Sequence, residues 1–156
     1  MDKYESNLTG AYLDEQNTLM RITPEGGIAV RMINNTGANS VKGTLLEASS
    51  SVDDAVVIQT NEVDTIGIMY SDGVADGEEV WVVVSGKAQV LLKDGVTAVR
   101  DYWVFTSTTD GRADMLIAPS GGTIQALEGH FNEIGHCVEA KASGTDVLAL
   151  VVIHFN

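Results

Sequence analysis

The feature that most restricts the fold of this chain is the close spacing of turn signals between short runs of β-branched and aromatic residues. The stretch from residue 65 to residue 95 reads TIGIMYSDGVADGEEVWVVVSGKAQVLLKDG. Its VWVVV run, residues 80–84, is apolar on both faces, which is typical of a central strand. Ser85-Gly86 and Asp94-Gly95 are turn signals, and the second is typical of a type I′ turn. The stretch predicts three strands in an antiparallel meander, over residues 79–84, 88–92 and 96–99.

The rest of the chain repeats this pattern of short apolar runs between turns. Further strand candidates occupy residues 28–33, 41–47, 55–60, 102–107, 113–118, 134–140 and 147–155. The first two candidates are separated by the turn signal NNTG, which predicts that they pair antiparallel. The last one begins with VLALVVI, a run that is apolar throughout and predicts a strand in the interior of a sheet.

A helix competes with strand structure at one place, residues 123–132. Ile124, Leu127 and Phe131 fall three and four positions apart, although Gly129 within the segment opposes a helix. About ten short strands and at most one short helix predict an all-β protein, a compact antiparallel barrel or sandwich. A chain of 156 residues is long enough to bury a core as a single domain.

Residues 1–26 differ from the rest because they are polar and their apolar side chains follow no single period. This predicts an N-terminal arm, residues 1–26, followed by one β-domain, residues 27–156. The arm is either a disordered terminus or a segment that orders on a partner or a neighbouring subunit. In the second case its apolar side chains are the candidate contacts with that partner or subunit: Tyr4, Tyr12, Leu13 and Met20.

Charge and hydropathy exclude several classes of partner. The formal net charge is −13, and the basic residues beyond Lys42 are scattered, so we expect no nucleic-acid binding. The N-terminus lacks the basic and apolar regions of a secretory signal, and the longest apolar run is too short to cross a membrane. The single cysteine, Cys137, cannot form an internal disulfide. We therefore expect a soluble protein with no membrane association, whose cysteine is a small buried residue.

No motif with a catalytic spacing occurs in the chain. The strongest metal candidate combines imidazoles, a carboxylate and one further ligand: His130, Glu133, His136 and either Cys137 or His154. Six residues of extended chain place the imidazoles of His130 and His136 about 20 Å apart, although a bend at Gly135 would shorten that distance. Linear spacing therefore favours structural histidines, with no metal and no cofactor.

Two other constellations are weaker. Asp72, Asp76, Glu78 and Glu79 surround two glycines and have the oxygen ligands that calcium prefers, but solvated turn residues are the commoner outcome. A Ser-His-Asp triad requires a serine that is marked as a nucleophile, and no serine here is so marked. We expect no enzymatic activity and assign no catalytic residue.

Two groups of residues resemble virion proteins of tailed bacteriophages: GI at 67–68, GEEV at 77–80 and SGKA at 85–88, with HFNEIGH at 130–136 and HFN at 154–156. The nearest class is the capsid decoration, or cement, proteins. The resemblance covers about residues 28–156. It implies a small β-rich domain that binds the outside of a lattice of major capsid protein. It also implies a homotrimer, assembly in the host cytoplasm, and an N-terminal extension that lies on neighbouring subunits.

Two alternatives belong to other functional classes. A β-sandwich that binds carbohydrate or a host surface would present the ring face of Trp81, Tyr102 or Trp103 to its ligand. A small hydrolase would bring His130, His136 and an acidic residue into one pocket. The virion structural protein is the preferred hypothesis because the chain has no catalytic motif and no basic patch.

Overall fold

The computed structural model describes residues 19–60, 63–117 and 131–155. Its elements are β1 (Met20–Ile22), β2 (Gly27–Asn34), β3 (Leu45–Ala48), β4 (Ala55–Ile58), β5 (Gly67–Met69), β6 (Glu79–Leu91), β7 (Trp103–Thr106), β8 (Ala113–Leu116), β9 (Glu133–Cys137) and β10 (Leu148–Ile153). The all-β prediction is confirmed. Within the described ranges no helix has the length and apolar character needed to span a membrane. The helical turn predicted at residues 123–132 lies almost entirely outside them.

The ten strands form one sheet that closes on itself twice around β6. In the first ring, β2, β4, β3, β5 and the first half of β6 are neighbours in that order, and β2 pairs with β6 to close it. In the second ring, the order is the second half of β6, then β10, β9, β7 and β8. A bridge between Leu92 and Ala113 returns β8 to the end of β6. The barrel alternative therefore describes the architecture better than two separate packed sheets.

The sheet has two apolar cores, and the larger one includes residues from strands of both rings. The first ring is filled by Leu46, Val56, Met69, Val80 and Val82. The second and larger core includes Val90, Val104, Ile134, Val151 and Ile153. Val82 and Val83 are adjacent on β6, yet they belong to different cores. The first half of β6 is therefore buried on both faces, which confirms that the VWVVV run is a central strand.

The predicted hairpin at Ser85-Gly86 is wrong, because β6 continues unbroken from Glu79 to Leu91. Gly86 has φ of +82° and lies against the backbone of Gly26 and Gly27 in the β1–β2 turn. Its partners also change here, from β2 to β10. A glycine between two strand-like runs is compatible either with a tight turn or with close contact between two backbone segments. Gly86 serves the second purpose, because it allows the β1–β2 turn to lie against β6.

The predicted meander also fails after β6. Lys93 accepts a hydrogen bond from the N–H of Val96, so Asp94-Gly95 does form a turn. Gly95 has φ of +83° while Asp94 does not have positive φ, which is the pattern of a type II turn and not of type I′. The chain then leaves the sheet, and residues 96–99 make one isolated bridge, between Ala98 and Lys141.

β2 and β3 do not pair with each other, contrary to the prediction from the NNTG signal. β4 lies between them, antiparallel to β3 and parallel to β2. The buried Asn34 side chain accounts for the difference. Its Nδ2 donates to the carbonyl oxygens of Ala38 and Val74, and its Oδ1 accepts from Thr36. These bonds tie the loop after β2 to the β5–β6 loop, so the chain does not turn directly back on β2.

Residues 20–26 join the sheet. β1 pairs antiparallel with β2, Met20 opposite Val30 and Ile22 opposite Ile28. The Arg21 guanidinium lies 4.8 Å from the ring centre of Tyr70 and 4.7 Å from that of Trp81. The predicted boundary between arm and domain, at residues 26 and 27, therefore falls inside the turn of a hairpin. Tyr4, Tyr12 and Leu13 lie outside the described residues.

The strand predictions in the C-terminal half are confirmed. β7 pairs antiparallel with β8, and β9 with β10. β10 lies between β6 and β9, so the VLALVVI run is a central strand. These pairings place β9 between β7 and β10, and one face of β9 carries the side chains described next.

Candidate functional site

Three side chains near the C-terminus meet in one cluster, which we call the Glu–His cluster: Glu133, His136 and His154. Oε1 of Glu133 lies 3.1 Å from Nε2 of His136 and 3.3 Å from Nε2 of His154. The two imidazole ring centres are 5.2 Å apart. Among the residues that the structure describes, this is the group of ligand-type side chains close enough to share one ion.

A β-bulge brings Glu133 and His136 to the same face. In a regular strand, residues three apart point to opposite faces. On β7, Val104 pairs with Gly135 and Phe105 pairs with Glu133, so Ile134 is an additional residue in β9. One additional residue reverses the alternation of faces. Glu133 therefore lies beside His136 while Ile134 remains in the core.

His154 reaches the cluster from the end of β10. Val152 pairs with His136, so His154, two residues later, faces the same side. The His154 N–H donates to the carbonyl oxygen of Ile134 and holds the chain in register beyond the last strand residue. A Cβ at Gly135 would overlap the carbonyl oxygen of Val152. This close contact between β9 and β10 requires glycine at position 135.

The cluster has a buried centre and an open rim. The Glu133 side chain is 1% exposed, whereas those of His136 and His154 are 44% and 40% exposed. Trp103 pairs with His136 across β7 and β9, and its ring stands edge-on to the imidazole at 6.4 Å. The carboxylate is thus held within the protein, and the imidazoles cover it from the solvent side.

The other two candidate ligands are placed differently. His130 lies outside the described residues. Cys137 is buried, as predicted, and its thiol donates a hydrogen bond to the carbonyl oxygen of Glu139 at 3.0 Å. Burial raises the pKa of this thiol, which disfavours the thiolate that a metal needs.

The acidic residues around Gly73 and Gly77 bind separate partners and do not converge on one position. Oδ1 of Asp72 accepts from the Lys42 N–H, and Oδ1 of Asp76 accepts from the Gly37 N–H. Glu79 pairs with Arg31 at 3.3 Å. These carboxylates bind separate backbone or side-chain groups, as expected for turn residues.

The aromatic residues suggested for sugar binding, Trp81, Tyr102 and Trp103, are all partly buried. The Arg21 guanidinium occupies a position over the Trp81 ring. A groove of about 790 Å³ lies elsewhere, between the β3–β4 turn and the segment before β5, and Phe155 is the aromatic residue in its lining.

An exposed apolar surface lies on the β1–β2 hairpin, and we call it the β1–β2 patch: Met20, Ile22 and Ile28. Met20 is 53% exposed and Ile22 is 66% exposed. Ile28 pairs with Ile22 across the hairpin, so the three side chains share a face. Met20 is the one residue of the predicted contact set that lies within the described part of the chain.

Two carboxylates are held in their charged form by specific partners. Burial alone raises the pKa of Glu139, but hydrogen bonds from the Leu150 N–H and Lys141, with the charge of Lys141, outweigh it and lower the pKa. Burial likewise opposes ionisation of Glu25, and its hydrogen bonds and the charge of Lys42 lower its pKa overall.

These lowered pKa values predict a loss of stability in acid. A carboxyl group whose pKa is lower in the folded than in the unfolded chain stabilises the folded state at pH values above its unfolded pKa, about 4.3 for glutamate. This contribution is lost as the pH falls through the pKa of the folded state. Urea unfolding between pH 6 and pH 3 measures the effect. The double variant Glu25→Gln/Glu139→Gln should show a shallower decline than the wild type, and equal slopes would contradict this assignment.

The comparisons with known proteins identify a shared fold. No protein-family model matches the sequence, and no curated protein matches it. The chain is similar to the crystal structure of the head fiber gp8.5 N base of bacteriophage phi29. The two are 19% identical over 81% of this chain and 92% of that chain, with a TM-score of 0.53.

Proposed function

We propose that this protein is a structural component of a bacteriophage virion that binds the outer surface of the capsid and reinforces the lattice of major capsid protein. The observation that carries the proposal is the fold shared with the base of a phage head fiber along most of both chains. The resemblance to decoration proteins in the turn and core residues supports the same class. We propose no enzymatic activity for the protein.

The β1–β2 patch supports a role in association. Among the described strands, β1 pairs with β2 alone and stands at one end of the sheet order. Exposed edges carrying apolar side chains favour contact with other chains. We propose that this patch, together with the residues before it in the chain, contacts a neighbouring subunit or capsomer.

The charge of the chain supports binding to protein and opposes binding to nucleic acid. A net charge of −13 repels a phosphate backbone. The same charge complements a basic surface, and it favours an exterior position on a particle whose interior holds DNA. We accordingly propose the capsid exterior as the location, with assembly in the host cytoplasm.

Mass spectrometry of purified virions tests the assignment directly. We expect this chain in gradient-purified particles, in a fixed copy number relative to the major capsid protein. Immunogold labelling of intact, unpermeabilised particles should place it on the outside of the head. If the chain is absent from purified particles, or is labelled only after the capsid is opened, the proposal is wrong.

Light scattering of the isolated chain tests the proposed homotrimer. We expect a mass of about 50 kDa, three times the 16.6 kDa of one chain, because the exposed apolar side chains of the β1–β2 patch favour burial between copies. The variant Ile22→Asp/Ile28→Asp should shift the mass toward the monomer. A wild-type monomer at micromolar concentration would show that the chain does not associate before it docks.

A further inference from the structure

We propose that Glu133, His136 and His154 bind one divalent transition-metal ion of the zinc type. Two imidazoles and one carboxylate are an established ligand set for zinc, with a fourth position left for water or another ligand. The expectation from linear spacing concerned His130 and His136. It does not apply to this set, because the bulge at Ile134 and the β9–β10 pairing bring different residues together.

Two of the three distances between donor atoms already match those of ligands of one ion. Around a tetrahedral zinc ion with bonds of about 2.0 to 2.1 Å, neighbouring ligand atoms lie about 3.3 to 3.4 Å apart. The distances from Oε1 of Glu133 to the two Nε2 atoms, 3.1 Å and 3.3 Å, match this spacing. One donor atom from each side chain lies within 4.8 Å of the other two. A small rotation of one half-exposed imidazole would bring the donor nitrogens of His136 and His154 to the same spacing.

Burial and charge also favour a cation at this place. A carboxylate that is 1% exposed needs compensating positive charge or hydrogen bonds. A divalent ion bound by the carboxylate supplies that positive charge directly. The half-exposed imidazoles leave an entry path from solvent, and the acidic surface attracts cations toward it.

The donor set selects among metals. Imidazole nitrogen suits zinc, nickel, cobalt and copper, while calcium and magnesium prefer sites built from oxygen. Two of the three donors here are nitrogen, so the hard cations should compete poorly. The bound ion joins β9 to the segment beyond β10 and therefore stabilises the C-terminal end of the second ring.

The test uses the full chain, dialysed first against EDTA and then against metal-free buffer. Isothermal titration with Zn²⁺ should give one ion per chain. At a free zinc concentration of about 100 times Kd, the melting temperature should rise by about 5 to 10 °C. Ca²⁺ and Mg²⁺ at the same concentration should produce no rise. Co²⁺ should give the visible absorption bands of a low-symmetry tetrahedral site.

Three variants identify the ligands. His136→Ala and His154→Ala each remove a half-exposed side chain, so both should fold, and each should weaken zinc binding by about 100-fold or more. Glu133→Gln keeps the shape of a buried side chain and should also weaken binding. Glu78→Gln, a change at an exposed carboxylate in the β5–β6 loop, is the matched control and should bind zinc as the wild type does.

Two outcomes overturn the proposal. In the first, the metal-free chain binds no zinc. In the second, the double variant His136→Ala/His154→Ala binds zinc with the wild-type affinity. Either result would assign the cluster to direct contacts between the histidines and Glu133. Both results are independent of the virion experiments, because they are measured on the isolated chain.

Discussion

Replacement of Gly86 by alanine should lower the free energy of unfolding by about 2 to 5 kcal/mol. Two costs add at this position. Alanine at a φ of +82° costs about 1 to 2 kcal/mol because its Cβ approaches the following carbonyl oxygen. The new Cβ would also lie 2.5 Å from the carbonyl oxygen of Gly26 and 3.1 Å from the Cα of Gly27. Insertion of a methyl group into a packed site typically costs about 1 to 3 kcal/mol.

The surroundings of Gly86 explain why the second cost cannot be relieved. The crowding atoms are backbone atoms of the β1–β2 turn, so no side-chain rotation moves them away. Gly86 also pairs with Gly27 on β2 and with Ile153 on β10, so it is the residue at which β6 passes from one ring to the other. A displacement there disturbs the hydrogen bonds of both rings.

Gly95→Ala is the matched control for the Gly86 prediction. Gly95 has nearly the same backbone angle, φ of +83°, but a Cβ there meets no atom within 4 Å. Urea unfolding should show that Gly95→Ala loses only the conformational cost, about 1 to 2 kcal/mol. The difference between the two variants measures the crowding alone. Equal losses would mean that β6 does not pass closely over the β1–β2 turn.

Gly86 also shows which structural features can be predicted from the sequence of this chain. The alternation of Val80, Val82 and Val84 with Trp81 and Val83 correctly predicts a strand buried on both faces. Local pattern is sufficient for that conclusion because it depends only on which side chains are apolar. It cannot show whether Ser85-Gly86 is a turn or a close approach, since that depends on Gly26 and Gly27, about 60 residues earlier in the chain.

Strand order was harder to predict than strand position for the same reason. β2 and β3 are near in sequence, yet β4 lies between them, and the loop after β2 is held by a hydrogen bond from the Asn34 side chain to Val74, 40 residues away. In contrast, β9 and β10 pair as predicted, although their connection, residues 138–147, is as long as that between β2 and β3, residues 35–44. The pattern of apolar residues along a strand does not show which other strand it pairs with when a distant polar contact shapes the connecting loop.

The members of the Glu–His cluster were recognisable as candidate ligands, but no site was predicted. The sequence offered Glu133, His136 and His154 as ligand types, and linear spacing argued against a site. The spacing argument concerned the distance between His130 and His136, whereas the bulge at Ile134 and the β9–β10 pairing bring together Glu133, His136 and His154. Gly135 was the available signal, because a glycine within an apolar strand commonly marks a bulge or a close backbone contact.

The second large effect that we expect concerns the N-terminal residues, and it separates folding from binding. Deletion of residues 1–26 should lower the free energy of unfolding by about 2 to 4 kcal/mol. It removes the β1–β2 hydrogen bonds, including that from the Arg31 N–H to the Leu19 carbonyl, and the Arg21 contacts with Tyr70 and Trp81. It also removes Glu25, the partner of Lys42. Thermal and urea unfolding of the truncated chain measure this loss.

Deletion of residues 1–18 is the matched comparison, because it keeps β1 and every contact just described. Its melting temperature should equal that of the wild type. If Tyr4, Tyr12 and Leu13 bind a capsid surface, each buried side chain contributes about 1.5 to 3 kcal/mol before the cost of ordering the arm. Loss of two such contacts should weaken binding to undecorated capsids about 100-fold or more. Unchanged binding would mean that these residues are not in the interface, and the β1–β2 patch would then be the candidate contact surface. A lower melting temperature would mean that residues 1–18 belong to the folded domain.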